Sequence, residues 1–187
     1  MTESTPKDSV FYILDFDRTL ADSDKLLEVF IEVAEEHSAI SREQIEKADR
    51  DVKLRGDSFD TASYVRDHLV IADDGQSDEW DRMLKQFIHE CRSLNMLLPG
   101  ASELLERLAA RGDRYGILTY GNPLWQGIKL TAAGFNHVDH IVTDRKEKSL
   151  FIKKWQQANG SFAIPPEFGG GTAASVVVID DKAVSFD

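Results

Sequence analysis

Asp15 and Asp17 stand one residue apart at the end of a short apolar run, VFYILDFDRTL over residues 10–20. Two carboxylates this close repel unless a cation or a proton is shared between them, so the pair points to a divalent metal or a raised pKa. A solvated acidic turn has the same composition, and the pair alone does not separate the two. Asp180 and Asp181 close another apolar run, SVVVIDD over 175–181. Thr119 closes a third, RYGILT over 114–119, and lysines follow a fourth, HVDHIVTD over 137–144. Carboxylates for a metal, a hydroxyl and a nearby cation are what phosphoryl transfer requires, because that chemistry is mostly positioning and charge neutralisation.

These groups need a scaffold that brings four distant segments to one edge. Short β-branched and aromatic runs read as buried parallel strands, and ligands bind outside the carboxyl ends of such strands. Helical patterns separate them. Residues 99–112 (PGASELLERLAARG) open on proline and close on glycine, as a capped helix does. YGNP leads into a helix over about 123–133, and KSLFIKKWQQANG at 148–160 reads as another. Strands alternating with helices predict an α/β fold, a Rossmann-like parallel sheet flanked by helices with right-handed crossovers. The proline- and glycine-rich FAIPPEFGGGTAA, residues 162–174, reads as a mobile loop.

Between the first strand and residue 95 the pattern is helical throughout. Apolar residues recur at helical spacing over 24–37, then over about 41–54, 60–71 and 77–95, with Ser41 and Gln44 resembling a capping box. Gly56 and the DDGQS stretch at 73–77 supply the breaks. The expected division is an α/β core of residues 1–21 and 96–187 and a small α-helical cap of residues 22–95.

The chain has 187 residues, 42% hydrophobic, enough for a real core. A net charge of −11 opposes nucleic acid and anionic membrane as partners and fits a cytoplasmic protein. The polar start, MTESTPKDS, lacks the apolar stretch of a signal peptide, and no later run is long enough to span a membrane. A single cysteine, Cys91, excludes an internal disulfide and a multi-thiolate zinc site. Cys91 reads as an inert packing residue.

DFDRT, the strand ending in Thr119 and the strand ending in Asp180–Asp181 together resemble the motifs of the haloacid dehalogenase-like hydrolases. LLPGASELLERLAARGDRYGILTYGN is also similar to the segment of those members that carry a helical cap between the first two motifs. The resemblance implies a magnesium-dependent phosphatase acting on a small phosphorylated metabolite. A phosphomutase of the same family, or a binding protein that keeps the fold without turnover, is the alternative. A dehalogenase fits less well, since Asp17 and the terminal pair favour phosphate.

By the same resemblance Asp15 is the nucleophile that forms an aspartyl-phosphate, and Asp17 the general acid and base, its backbone carbonyl binding the metal. Thr119 holds a phosphate oxygen with the amides of Tyr120 and Gly121. Asp180 and Asp181 complete the magnesium site with Asp15 and Asp17, a hard cation among oxygen ligands. DRKEKS offers Lys146 and Lys148 for the charge-neutralising lysine, and Lys148, directly before a helix, is preferred; Lys153 and Lys154 read as a solvated face. Arg18 stands where many capped members have glycine. The chain stops soon after the fourth motif, so either the natural protein is longer or the sheet ends early with an open edge, and Asp187 could take the place of a trailing acidic residue. Candidate specificity residues on the cap, such as Arg55, Tyr64 and His68, carry no distinguishing signal, and the sequence is silent on oligomeric state.

Overall fold

The computed structural model describes residues 9–37, 40–56, 59–72 and 78–182. Strand β1 (Val10–Leu14) is followed by four helices, α1 (Ser23–His37), α2 (Arg42–Lys53), α3 (Thr61–Ala72) and α4 (Asp78–Leu94). Then come α5 (Ala101–Arg111), β2 (Arg114–Tyr120), α6 (Pro123–Ala132), β3 (His140–Thr143) and α7 (Lys148–Lys153). Two-residue strands β4 (Phe162–Ala163) and β5 (Thr172–Ala173) precede β6 (Ser175–Ile179). The break expected at 73–77 and the acidic residue Asp187 lie outside the described residues.

The chain forms two compact units, one of Met1–Ala21, Leu97–Tyr120 and His137–Asp187, the other of Asp22–Met96 and Gly121–Asn136. The first is an α/β unit around a parallel sheet of order β3-β2-β1-β6. In register, Leu14 of β1 lies between Ile117 of β2 and Ile179 of β6. The chain leaves β1 for β2 on one side and returns from β3 to β6 on the other, so the strand order reverses beside β1, and the crevice beyond Leu14 is the switch point where such sheets bind ligands.

One face of the sheet carries a core cluster that reaches across to α7 and the segment before β6. Phe11 and Ile13 of β1 and Leu118 of β2 pack with Ile152 and Trp155 of the α7 segment and with Ile164, Phe168 and Ala173. The last three belong to the stretch expected to be a mobile loop, which is instead built into the core. β4 pairs antiparallel with β5, and Phe168, 2% exposed, stacks near Phe11 and Trp155 with ring centroids 5.6 and 5.9 Å away. The apolar residues between the prolines and glycines outweigh the turn chemistry. Gly116 makes room: a Cβ there would meet Phe168 ring carbons at 2.4 and 2.6 Å. α7 is also shorter than the expected 148–160, because Gln156 pairs with Phe162 and the Asn159–Gly160 turn reverses the chain.

The second unit is helical. Phe30 of α1 meets Phe87 of α4 at 5.2 Å and Trp125 of α6 at 4.6 Å between ring centroids. The Ser41–Gln44 capping box is formed at the start of α2. Asn122 caps α6, accepting from the amides of Leu124 and Trp125, with Pro123 in the first turn where no donor is needed. The sequence pattern places residues 96–187 wholly with the sheet, whereas α6 packs in the helical unit through its buried Trp125, Ile128 and Leu130. Cys91 is buried, and burial pushes its thiol up to about 12, so it stays an unreactive packing group. No described helix is long and apolar enough to cross a membrane.

Candidate functional site

Side chains alternate along extended backbone, so Asp15 and Asp17 share one side while Phe16 between them is fully buried. The Phe16 carbonyl then accepts the amides of Thr19, Leu20 and Ala21, which folds residues 16–21 into a tight turn. Arg18 sits in that turn with φ of 60°, in the left-handed region that glycine occupies without strain. The turn returns Thr19 to the carboxylates. Its hydroxyl donates to Asp15 Oδ2 at 3.2 Å and accepts the Asp181 amide at 3.0 Å. Thr19 thus ties the loop after β1 to the loop after β6. The sequence held the signal for it, the threonine of DFDRT, without showing what the hydroxyl would hold.

The backbone brings the two acidic segments together. The Asp15 amide donates to the Ile179 carbonyl at 2.9 Å, which places Asp15 beside Asp180. Lys148 Nζ donates to Asp15 Oδ1 at 2.5 Å and to Asp180 Oδ2 at 2.7 Å, with all three side chains less than a tenth exposed. Asp180 Oδ1 accepts the Lys182 amide at 2.8 Å. Of the two lysines that the sequence offers, Lys148 makes these contacts; Lys146 Nζ lies 5.8 Å from the Tyr120 ring centroid.

Burial pushes the Asp15 carboxyl above its ordinary range; the Lys148 ammonium pulls against it, and the Asp180 charge adds to the rise. A carboxylate kept in so dry a place needs cations. Asp15, Asp180 and Asp181 each offer an oxygen, all within 4.8 Å of one another. Such an anionic, all-oxygen set suits a hard divalent ion such as Mg²⁺. The side chain of Asp17 is outside this set.

A cavity of about 300 Å³ opens here, lined by Asp15, Asp17, Asp180 and Asp181, by Lys148 and Thr119, and by Tyr120, Lys146, Glu147 and Lys182. That volume is at the small end of ligand sites. Thr119 is fully buried, and its hydroxyl has no hydrogen-bond partner among the described residues. A buried hydroxyl left unpaired costs free energy, so its position on the wall of a cavity marks a place for a polar ligand atom. Tyr120 reaches the cavity wall. Gly121, the next residue, belongs to the helical unit, with φ of 145° and Gln126 packed where a Cβ would stand.

The sequence model of the haloacid dehalogenase-like hydrolases matches residues 12–162 of this chain. Among solved structures, a protein from Burkholderia xenovorans LB400 described as haloacid dehalogenase-like is 19% identical, with a TM-score of 0.58. The match covers 95% of this chain and 76% of that one, which shows a shared fold. A haloacid dehalogenase-like family hydrolase from Xanthomonas campestris is 13% identical over 95% of this chain and 75% of its own, with a TM-score of 0.47. No curated protein sequence matches the chain.

Proposed function

Because the chain belongs to the haloacid dehalogenase-like hydrolase family, we propose that this hydrolase is a magnesium-dependent phosphatase that cleaves a small phosphate monoester through an aspartyl-phosphate. The observation that carries this reading is the placement of the Thr119 hydroxyl, without a hydrogen-bond partner among the described residues, in the same cavity as Asp15, itself held by Lys148 at 2.5 Å. An anchored carboxylate, a cation and an unsatisfied hydroxyl are the parts needed to hold a phosphoryl group in line for attack.

In this reading the Asp15 oxygen attacks phosphorus, and the bond from phosphorus to the leaving oxygen breaks as that oxygen takes a proton from Asp17. Water then attacks the phosphorus of the acyl phosphate. Asp17 takes the water proton, and Asp15 leaves as a carboxylate with inorganic phosphate released. Thr119 donates to a phosphoryl oxygen, with the Tyr120 and Gly121 amides assigned to the same task. Lys148 balances charge on Asp15 and on the oxygens in transfer. Asp15, Asp180 and Asp181 with the Asp17 carbonyl would hold Mg²⁺, which supplies charge neutralisation at the phosphoryl oxygens. Thr19 keeps the two carboxylate loops in register, and the helical unit is assigned the part of a cap that excludes water and selects the substrate.

The test is Mg²⁺-dependent release of phosphate from p-nitrophenyl phosphate and a panel of phosphorylated metabolites, with Asp15→Asn as the control. Hydrolysis that disappears with EDTA and in Asp15→Asn supports the proposal. In crystals grown with Mg²⁺ and BeF₃⁻, fluoroberyllate bonded to an oxygen other than one of Asp15 would overturn the nucleophile assignment.

A further inference from the structure

Three cavity-lining residues, Lys146, Glu147 and Lys182, and the side chain of Tyr120 have no part in the transfer just described. Lys146 stands out among them. Five carboxylates line the same cavity, yet no carboxylate oxygen lies within ion-pair distance of the Lys146 ammonium among the described residues. Its observed partner is the face of Tyr120, 5.8 Å to the ring centroid, within the range of a cation–π contact. That contact restrains a flexible side chain without neutralising its charge.

The sheet order decides which side of the site this charge serves. Lys146 follows β3 and Lys182 follows β6, the two edges of β3-β2-β1-β6, roughly 14 Å apart at the usual strand spacing. A small leaving group cannot span both. On the β6 side stand Asp180 and Asp181, and the Lys182 amide is already bonded to Asp180. A ligand anion placed there would face those carboxylates. On the β2–β3 side Thr119 and Tyr120 carry no charge, and the one cavity-lining carboxylate among the described residues there is that of the exposed Glu147.

Resting on the phosphatase reading, we infer that Lys146, held against Tyr120, binds a second anionic group on the leaving portion of the substrate, so that the preferred substrates are phosphate monoesters bearing a carboxylate or a further phosphate. Lys146 is then a specificity residue that touches substrate, distinct from Lys148 at the reacting phosphoryl group. Lys148 is buried and bonded to Asp15 and Asp180, which leaves one ammonium donor for the phosphoryl group beside them.

Three probes of equal chain length separate the contributions: propyl phosphate, 3-(phosphonooxy)propanoate and propane-1,3-diol bisphosphate. For the wild type, kcat/KM should favour one or both anionic probes over propyl phosphate by roughly tenfold or more, the scale of one charge-assisted hydrogen bond. Lys146→Met should remove that preference mainly through KM, and Lys146→Arg should restore part of it. The two anionic probes report whether a carboxylate or a phosphate is the natural group. If the wild type hydrolyses all three probes alike, or if Lys146→Met lowers all three by the same factor, the inference is overturned and the phosphatase reading stands. If Mg²⁺ and wild-type enzyme hydrolyse none of the three and no aryl phosphate either, the phosphatase reading has failed and takes this one with it.

Discussion

Lys148→Met tests whether the site is an electrostatic balance rather than a set of residues that happen to be near one another. The Lys148, Asp15 and Asp180 side chains are 5%, 8% and 3% exposed. Methionine keeps the stem and the packing but leaves two buried carboxylates facing each other. Removing one partner of a buried ion pair costs about 3–5 kcal/mol, and two orphaned carboxylates point to the upper part of that range. With a urea dependence of about 2 kcal/mol per molar, the unfolding midpoint of the metal-free variant should fall by roughly 2 M at pH 7.5. The loss should also depend on pH. Burial holds the Asp15 carboxyl up even with Lys148 present, so without the ammonium the folded state binds protons more readily than the unfolded chain. A carboxyl whose folded pKa is raised costs stability as pH rises through that pKa and gives it back as pH falls. The deficit of Lys148→Met should therefore shrink between pH 7.5 and pH 5, and Mg²⁺ at pH 7.5 should recover part of it. The assay is urea unfolding in EDTA and in Mg²⁺ across that pH range. A deficit below about 1 kcal/mol, independent of pH and of Mg²⁺, would refute the argument that Lys148 neutralises a dry carboxylate pair.

Gly116→Ala should destabilise by about 1–3 kcal/mol, because the new methyl would stand 2.4 Å from the Phe168 ring in a packed core; equal or higher stability in denaturant melts would show that the ring has room to move. Arg18→Gly should stabilise by about 0.5–1 kcal/mol, since the residue holds φ of 60°; a lower thermal midpoint would show that the Arg18 side chain outweighs its backbone strain. His37 makes the helical unit pH-dependent: Nδ1 lies 2.5 Å from Glu79 Oε1 and Nε2 2.6 Å from Gln86 Oε1. Gln86 donates its amide nitrogen to Glu36 and Glu90, which fixes its oxygen toward the imidazole, so both ring nitrogens must carry protons. The Glu79 hydrogen bond, opposed by burial and aided by Gln86 and Glu36, raises the His37 pKa above 6.5. The α1–α4 tie is then full below pH 6.5 and is lost as pH rises through the folded pKa. NMR titration should find His37 above 6.5, and His37→Gln should flatten the fall in stability with rising pH; a His37 pKa at or below 6.5 would remove the tie.

Much of this molecule was legible in its one-dimensional pattern because strands and helices carry their period in the chain. The run VFYIL ending on Asp15, the run SVVVI ending on Asp180 and the capped helix before β2 needed nothing beyond local spacing. The capping signals of α2 and α6 were equally local, since an N-cap bonds only to residues two or three ahead. The stretch 162–174 misled for the converse reason. Its prolines and glycines describe the turns, whereas the burial of Phe168 depends on a gap at Gly116, 52 residues earlier. The placement of α6 with the helical unit is of the same kind, decided by Trp125 meeting Phe30 and Phe87 rather than by any feature within residues 123–132.

By itself the sequence determined the family, the sheet and the inventory of the site, two acidic pairs, a threonine and two lysines at strand ends, because those are properties of residue type and local period. It left open which lysine meets the carboxylates, what Thr19 holds and where Lys146 rests. Tertiary structure decided these through strand order and register: β1 lies beside β6, which brings Asp15 next to Asp180. There Lys148 bridges the two carboxylates, while Lys146 lies against Tyr120 at the end of β2. A charge acts over a few ångströms, and only the fold sets which residues come that close.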